Sequence, residues 1–128
     1  MVISYRLSPK HSCVITKVEG TLSFEDLCRY LIHVAGDPKV PSEHITLFDA
    51  SDVNNLEVTP AQLEEFTSMV RTRYMERAAR KMAIVTRGNK ETELADYYEC
   101  LASSFGESAM VFYNYDVACK WLGIPSDA

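Results

Sequence analysis

The stretch Ile45-Thr46-Leu47-Phe48-Asp49-Ala50-Ser51-Asp52-Val53, followed by Thr59-Pro60-Ala61-Gln62, constrains this chain most. Ile45 to Phe48 is β-branched and aromatic and too short for a helix, so it reads as a buried strand. Asp49, Ser51 and Asp52 then place two carboxylates and a hydroxyl just past its C-terminal end. Thr59 to Gln62 is a capping box with proline at the first helical position, the strongest local signal in the chain. A strand, a short loop and a capped helix make half of a βα unit, and such a unit at the centre implies an α/β domain. In open α/β sheets the C-terminal edge of the strands is where sites are built. Asp49, Ser51 and Asp52 are therefore the first candidate site residues.

The flanking segments repeat the alternation. Val2 to Leu7 and Cys13 to Glu19 read as two strands joined by Ser8-Pro9-Lys10-His11, a connection short enough to make them antiparallel. In the second, Val14, Thr16 and Val18 point one way and Cys13, Ile15 and Lys17 the other; Gly20-Thr21 ends it. Ser23 caps a helix, with Asp26 in its first turn and a Leu22–Leu27 staple. Phe24, Leu27, Tyr30, Leu31 and Val34 form the helix's apolar stripe, and Gly36 and Pro38 stop it. Asp37 to Glu43 is the longest loop and the expected mobile segment. After the central strand, Leu63, Phe66, Val70 and Tyr74 line the buried face of the Thr59-capped helix.

Lys81 to Arg87 is apolar on both faces, hence parallel and central. Gly88-Asn89 turns into a third helix with Leu94, Tyr98, Leu101 and Phe105 on one face. Ala109 to Tyr113 is the last strand, and Asp116 to Leu122 a short final helix. The order β-β-α-β-α-β-α-β-α predicts a mixed, mostly parallel sheet of about five strands with four helices, in a single domain spanning residues 1–128.

Right-handed crossovers stepping in one direction leave all crossover helices on one face. The later strands nevertheless carry apolar residues on both sides, Met82 and Ile84 against Ala83 and Val85. A rearranged strand order, the N-terminal hairpin or a second subunit must cover the other face. A homodimer is the expected solution.

Composition narrows the function classes. With 13 Lys and Arg against 18 Asp and Glu, the net charge of −5 argues against nucleic acid as the main partner. The four cysteines are scattered with no C-x-x-C pair, as in a reduced cytoplasmic protein. There is no signal-peptide pattern at Met1 to Arg6 and no apolar run of membrane-spanning length. His11, His33 and His44 lack a two-ligand spacing and read as surface residues, so no metal or other cofactor is expected. No Walker loop, G-x-G-x-x-G, G-x-S-x-G or H-E-x-x-H is present.

Taken together, Val18-Glu19-Gly20, Phe48-Asp49-Ala50-Ser51-Asp52-Val53, Met82-Ala83-Ile84-Val85, and Val111-Phe112 with Ala118-Cys119-Lys120-Trp121-Leu122 resemble the STAS superfamily, which includes the bacterial anti-sigma-factor antagonists. The closer resemblance is to its SpoIIAA-like branch, sometimes grouped with lipid-binding CRAL-TRIO domains. It implies a regulatory or protein-interaction module that is not an enzyme. In the antagonists a serine at the start of the helix after the central strand is phosphorylated, within Asp-Ser-Ser-Gly. Here that stretch falls on Glu57-Val58-Thr59-Pro60, so the phosphoacceptor is Val58 and the phosphoswitch is not carried over. Thr59 reads as a plain cap.

The remaining chemistry is sparse. Thr86-Arg87-Gly88-Asn89-Lys90 is a short loop whose amides and cations suit an anion only weakly. The basic run Arg71, Arg73, Arg77, Arg80, Lys81 reads as a solvated helix end, or else as a docking patch. Two functions of different class follow. The first is a protein-interaction module using Asp49, Ser51, Asp52 and Thr59 together with Thr86, Arg87 and Asn89, brought to one edge by parallel strands. The second, which the CRAL-TRIO likeness implies, is a carrier of a small apolar ligand or lipid between helices and sheet.

Overall fold

An N-terminal hairpin leads into four parallel strands, and each crossover between them carries a helix. The computed structural model describes residues 2–74, 79–87, 93, 95–99 and 108–128. Its strands are β1 (Ile3–Ser8), β2 (Cys13–Ser23), β3 (Ile45–Glu57), β4 (Lys81–Val85) and β5 (Ser108–Phe112). Its helices are α1 (Phe24–Gly36), α2 (Pro60–Arg73) and α4 (Tyr115–Leu122). Residues 95–99 are also helical and are labelled α3. The sheet order is β1-β2-β3-β4-β5, with β1 antiparallel to β2 and every other pair parallel. The expected mixed, mostly parallel five-stranded sheet is the one observed.

Local chemistry places the elements as the sequence predicts. Ser23 and Asp26 form a reciprocal capping box at α1, and Thr59 and Gln62 form another at α2 behind Pro60. One face of the sheet packs Val18, Phe48 and Ile84 against Leu27 of α1, Leu63 and Phe66 of α2, and Tyr98 of α3. Leu94, Leu101 and Phe105, expected on the apolar face of α3, lie outside the described residues.

Four expectations are corrected. The first concerns the second face of the sheet. Within the chain, α4 covers it, packing Ala118, Cys119 and Leu122 onto Cys13, Ile15, Leu47, Ala83 and Val85. A helix following the last strand has no further strand to reach, so crossover handedness does not bind it. The bare face that argued for a homodimer is therefore absent.

Second, β3 does not stop near Asp49 but runs on to Glu57, pairing with β2 as far as Ser23–Glu57. Asp49, Ser51 and Asp52 thus sit within the strand. Third, Gly20 does not end β2. It stands at φ +76, where β2 and β3 shift register, and the strand continues to Ser23.

Fourth, His44 is only 2% exposed, its Nδ1 2.9 Å from the Pro41 carbonyl oxygen. The adjoining loop is anchored too. Val40 is buried, Asp37 accepts from the Lys39 amide at 2.9 Å, and the Tyr5 hydroxyl donates to Asp37 at 2.8 Å.

Candidate functional site

The parallel pairing of β2, β3 and β4 sets Lys17 beside Asp49 and Asp49 beside Val85. Asp49 is 8% exposed and its carboxylate is well occupied. It accepts from the Ser51 amide at 3.0 Å, the Ser51 hydroxyl at 2.6 Å and the Lys17 ammonium at 3.2 Å. Three residues beyond Asp49, a register irregularity in the β2–β3 pairing also brings Asp52 to Lys17, at 2.6 Å. Burial opposes the charge on Lys17, but its hydrogen bonds to Asp52 and Asp49 outweigh burial and push its pKa up. The Lys17 hydrogen bond holds the Asp52 carboxyl below its usual range, and Arg87 adds to that effect.

Of the seven residues expected at this edge, the structure gathers Asp49, Ser51, Asp52 and Arg87. Thr86 is buried at the end of β4, its amide bonded to the Phe112 carbonyl. Thr59 is set apart, since eight further residues of β3, roughly 26 Å of extended strand, run from Asp49 to Glu57. Its hydroxyl accepts from the Gln62 amide at 3.1 Å. Asn89 lies outside the described residues, as does most of the loop proposed for an anion. Lys17 was missed as a site residue. Its signal was a single ammonium in the apolar run from Cys13 to Val18, but naming its partners required the strand register.

The rest of the reactive inventory is committed to packing. Burial pushes the Cys13 thiol up to about 11, and burial also raises Cys28 and Cys119. Such thiols are poor nucleophiles. Of the basic run, Arg77 lies outside the described residues, and Arg80 and Lys81 take separate partners. Arg80 faces Glu43 at 3.7 Å, while Lys81 lies over the Trp121 ring at 4.3 Å and donates to its carbonyl. Among the described residues, no group of three His, Cys, Asp or Glu is placed to hold a metal. No described helix is long and apolar enough to cross a membrane.

A concave feature lies on the other side of the sheet. A cavity of about 90 Å³, partly open to its surroundings, lies between the sheet and α1, α2 and α3. Its walls include Tyr30, Phe48, Ala50, Phe66, Ile84 and Tyr98, with Thr86 at one end. The polar cluster belongs to the opposite side. Asp49 follows Ile45 and Leu47 in the alternation that faces α4, where burial chiefly raises the hydroxyl of Tyr115 at the start of α4 and Asp49 adds a little to it. Cavity and cluster are thus two features on opposite faces of the same strands.

Comparison with known proteins adds the fold. No protein-family model matches the chain, and no curated protein matches it. Among solved structures it is similar to an uncharacterized protein of the DUF3478 family with a SpoIIAA-like fold, from Shewanella loihica PV-4. The match covers 94% of this chain and 91% of that one, at 16% identity and a TM-score of 0.59. The chain is therefore an α/β domain of SpoIIAA-like fold, as the resemblance implied.

Proposed function

We propose that this domain is a non-enzymatic binding module that takes a small apolar molecule into the cavity between its three crossover helices and its sheet. The cavity itself is the observation that carries this reading. Its walls are apolar apart from Thr86 and the hydroxyls of Tyr30 and Tyr98. A charged ligand would lose its water there without a compensating partner, so a neutral ligand is favoured. An apolar cavity of roughly 150 Å³ takes benzene. One of about 90 Å³ suits a smaller molecule, or the end of a longer chain. The free thiols of Cys13, Cys28 and Cys119 suit a reducing compartment, and we place the protein in the cytoplasm.

Two measurements test the reading. Native mass spectrometry of gently purified protein should reveal bound apolar material. Xenon, smaller than benzene, should shift the methyl resonances of Leu63 and Ile84, which line or border the cavity, while leaving those of Ile15 and Leu47 on the α4 side in place. Unmoved Leu63 and Ile84 methyls at saturating xenon defeat it.

A regulatory, protein-interaction role is the second reading, favoured by the edge where Lys17, Asp52 and Arg87 meet. The Asp52 side chain is 56% exposed, so a partner has a charged surface to read. Its test is Asp52→Lys in a pull-down from the native host. Retention of every wild-type partner by that variant argues against the edge.

A further inference from the structure

Strand β5 ends the sheet, and among the described residues no strand lies beyond it. The Ser108 amide donates to the Arg80 carbonyl, and the Phe112 carbonyl accepts from the Thr86 amide. Both residues therefore point their backbone polar groups at β4. The alternation of a strand then turns those of Ala109 and Val111 outward. Neither has a hydrogen-bond partner on that side among the described residues. Such an edge is a template for another strand, and proteins blunt it with charge, proline or a bulge. The opposite edge strand, β1, carries the exposed Arg6. β5 has no such device: Ser108 to Tyr115 contains no charged residue, glycine or proline, and the register with β4 is unbroken.

The side chains beside this edge form an apolar shelf. Phe112 turns toward α4 and meets Trp121, ring centroids 5.5 Å apart. Val117 stands one helical turn before Trp121, so the flank of α4 that faces β5 carries both. Val117 is 50% exposed, and Met110, on the same face of β5 as Phe112, is 41% exposed. We propose that this edge receives an extended segment of a partner protein as a sixth strand, its alternate apolar side chains laid on Met110, Phe112, Val117 and Trp121. The outward N–H and C=O groups select a strand, because extended backbone repeats its donors and acceptors at their spacing, and the shelf selects the side chains. A second copy of this chain fits less well, since its own Phe112 is already turned onto its own Trp121. The surface is separate from the cavity and does not depend on the ligand reading.

The probe is a short capped peptide alternating threonine and valine between terminal lysines, and amide NMR on the intact chain reads its binding. As peptide is added, the Ala109 and Val111 amide protons should move downfield and exchange more slowly with solvent. The amides of Tyr5 and Leu7, which point outward from β1 at the far edge, should hold still. The same peptide N-methylated at its central amides keeps its side chains and charges and should have no effect. Val111→Pro removes one outward donor and spares the ladder to β4. It should weaken binding about fivefold, the factor that one hydrogen bond's net contribution corresponds to. Met110→Lys, at an exposed position, puts a charge on the shelf and should weaken binding at least as much. Unmoved Ala109 and Val111 amides at the peptide's solubility limit overturn the proposal, as do equal shifts with the N-methylated peptide or wild-type affinity in both variants. Shifts at Ala109 and Val111 that grow with protein concentration alone, alongside a rising mass, assign the edge to a second copy and overturn the partner.

Discussion

Substituting valine for Ala50 probes whether the space above the sheet is empty. Ala50 is 7% exposed, lies in strand β3 and faces the cavity. Valine adds two carbons, and at about 0.8 kcal/mol for each methylene buried the gain approaches ~1.6 kcal/mol when they fill existing room. Valine also suits a strand, so the backbone does not oppose the change. The matched control is Ala83→Val on neighbouring strand β4. Ala83 is 0% exposed and faces the packed underside of α4. Two extra carbons there displace neighbours and should cost about 1–3 kcal/mol. The same chemical change on opposite faces of one sheet should therefore act with opposite sign. Equilibrium urea unfolding reads both, as shifts in midpoint at constant m-value. Ala50→Val should also weaken xenon binding. If it destabilises as much as Ala83→Val at unchanged m, the room above Ala50 does not exist and the ligand reading loses its basis.

Other expectations are narrower. Thr59→Ala should lose about 1 kcal/mol in urea unfolding while Thr59→Ser keeps wild-type stability, as for a cap. Phosphothreonine at that position in protein from the native host would contradict the assignment. Asp49→Ala removes a buried carboxylate that accepts three hydrogen bonds, one from the Lys17 ammonium, and should cost about 2–4 kcal/mol by thermal or urea unfolding; a loss under 0.5 kcal/mol would show the cluster to be ornamental. Burial first, then the hydrogen bond to Asp37, raise the Tyr5 hydroxyl from 10.0 to about 12. Its contribution is complete below pH 10 and lost as pH rises through about 12, so Tyr5→Phe should flatten the stability profile across that window. Light scattering should give a mass near 14.5 kDa at every dilution, because α4 covers the face that a second copy would have occupied.

Much of the fold was legible because local signals agreed with one another. The Ser23 and Thr59 caps, the apolar runs at Ile45 and Met82 and the short hairpin turn each rest on chemistry within a few residues. What failed depended on partners distant in sequence. Asp52 to Glu57 carries two asparagines and little strand propensity, and β2 supplies the pairing that holds it extended. Lys17 could be matched to Asp49 and Asp52 only once the register and its irregularity were known. His44 looked like a surface histidine because its acceptor is a backbone carbonyl. The cavity had no sequence signature, since Phe66 and Tyr98 would appear identical in a filled core.

The placement of α4 also bears on how the chain is made. Synthesis runs from N- to C-terminus, so all five strands leave the ribosome before the helix that covers their second face. Until Ala118 and Leu122 arrive, Ile15, Leu47 and Val85 form an uncovered apolar strip on a parallel sheet. Parallel sheets assemble slowly, and transiently exposed apolar surface is where nascent chains stick to one another or to chaperones. A nascent chain stalled before Tyr115 is thus a natural chaperone client, and release of that client would coincide with the docking of one two-turn helix.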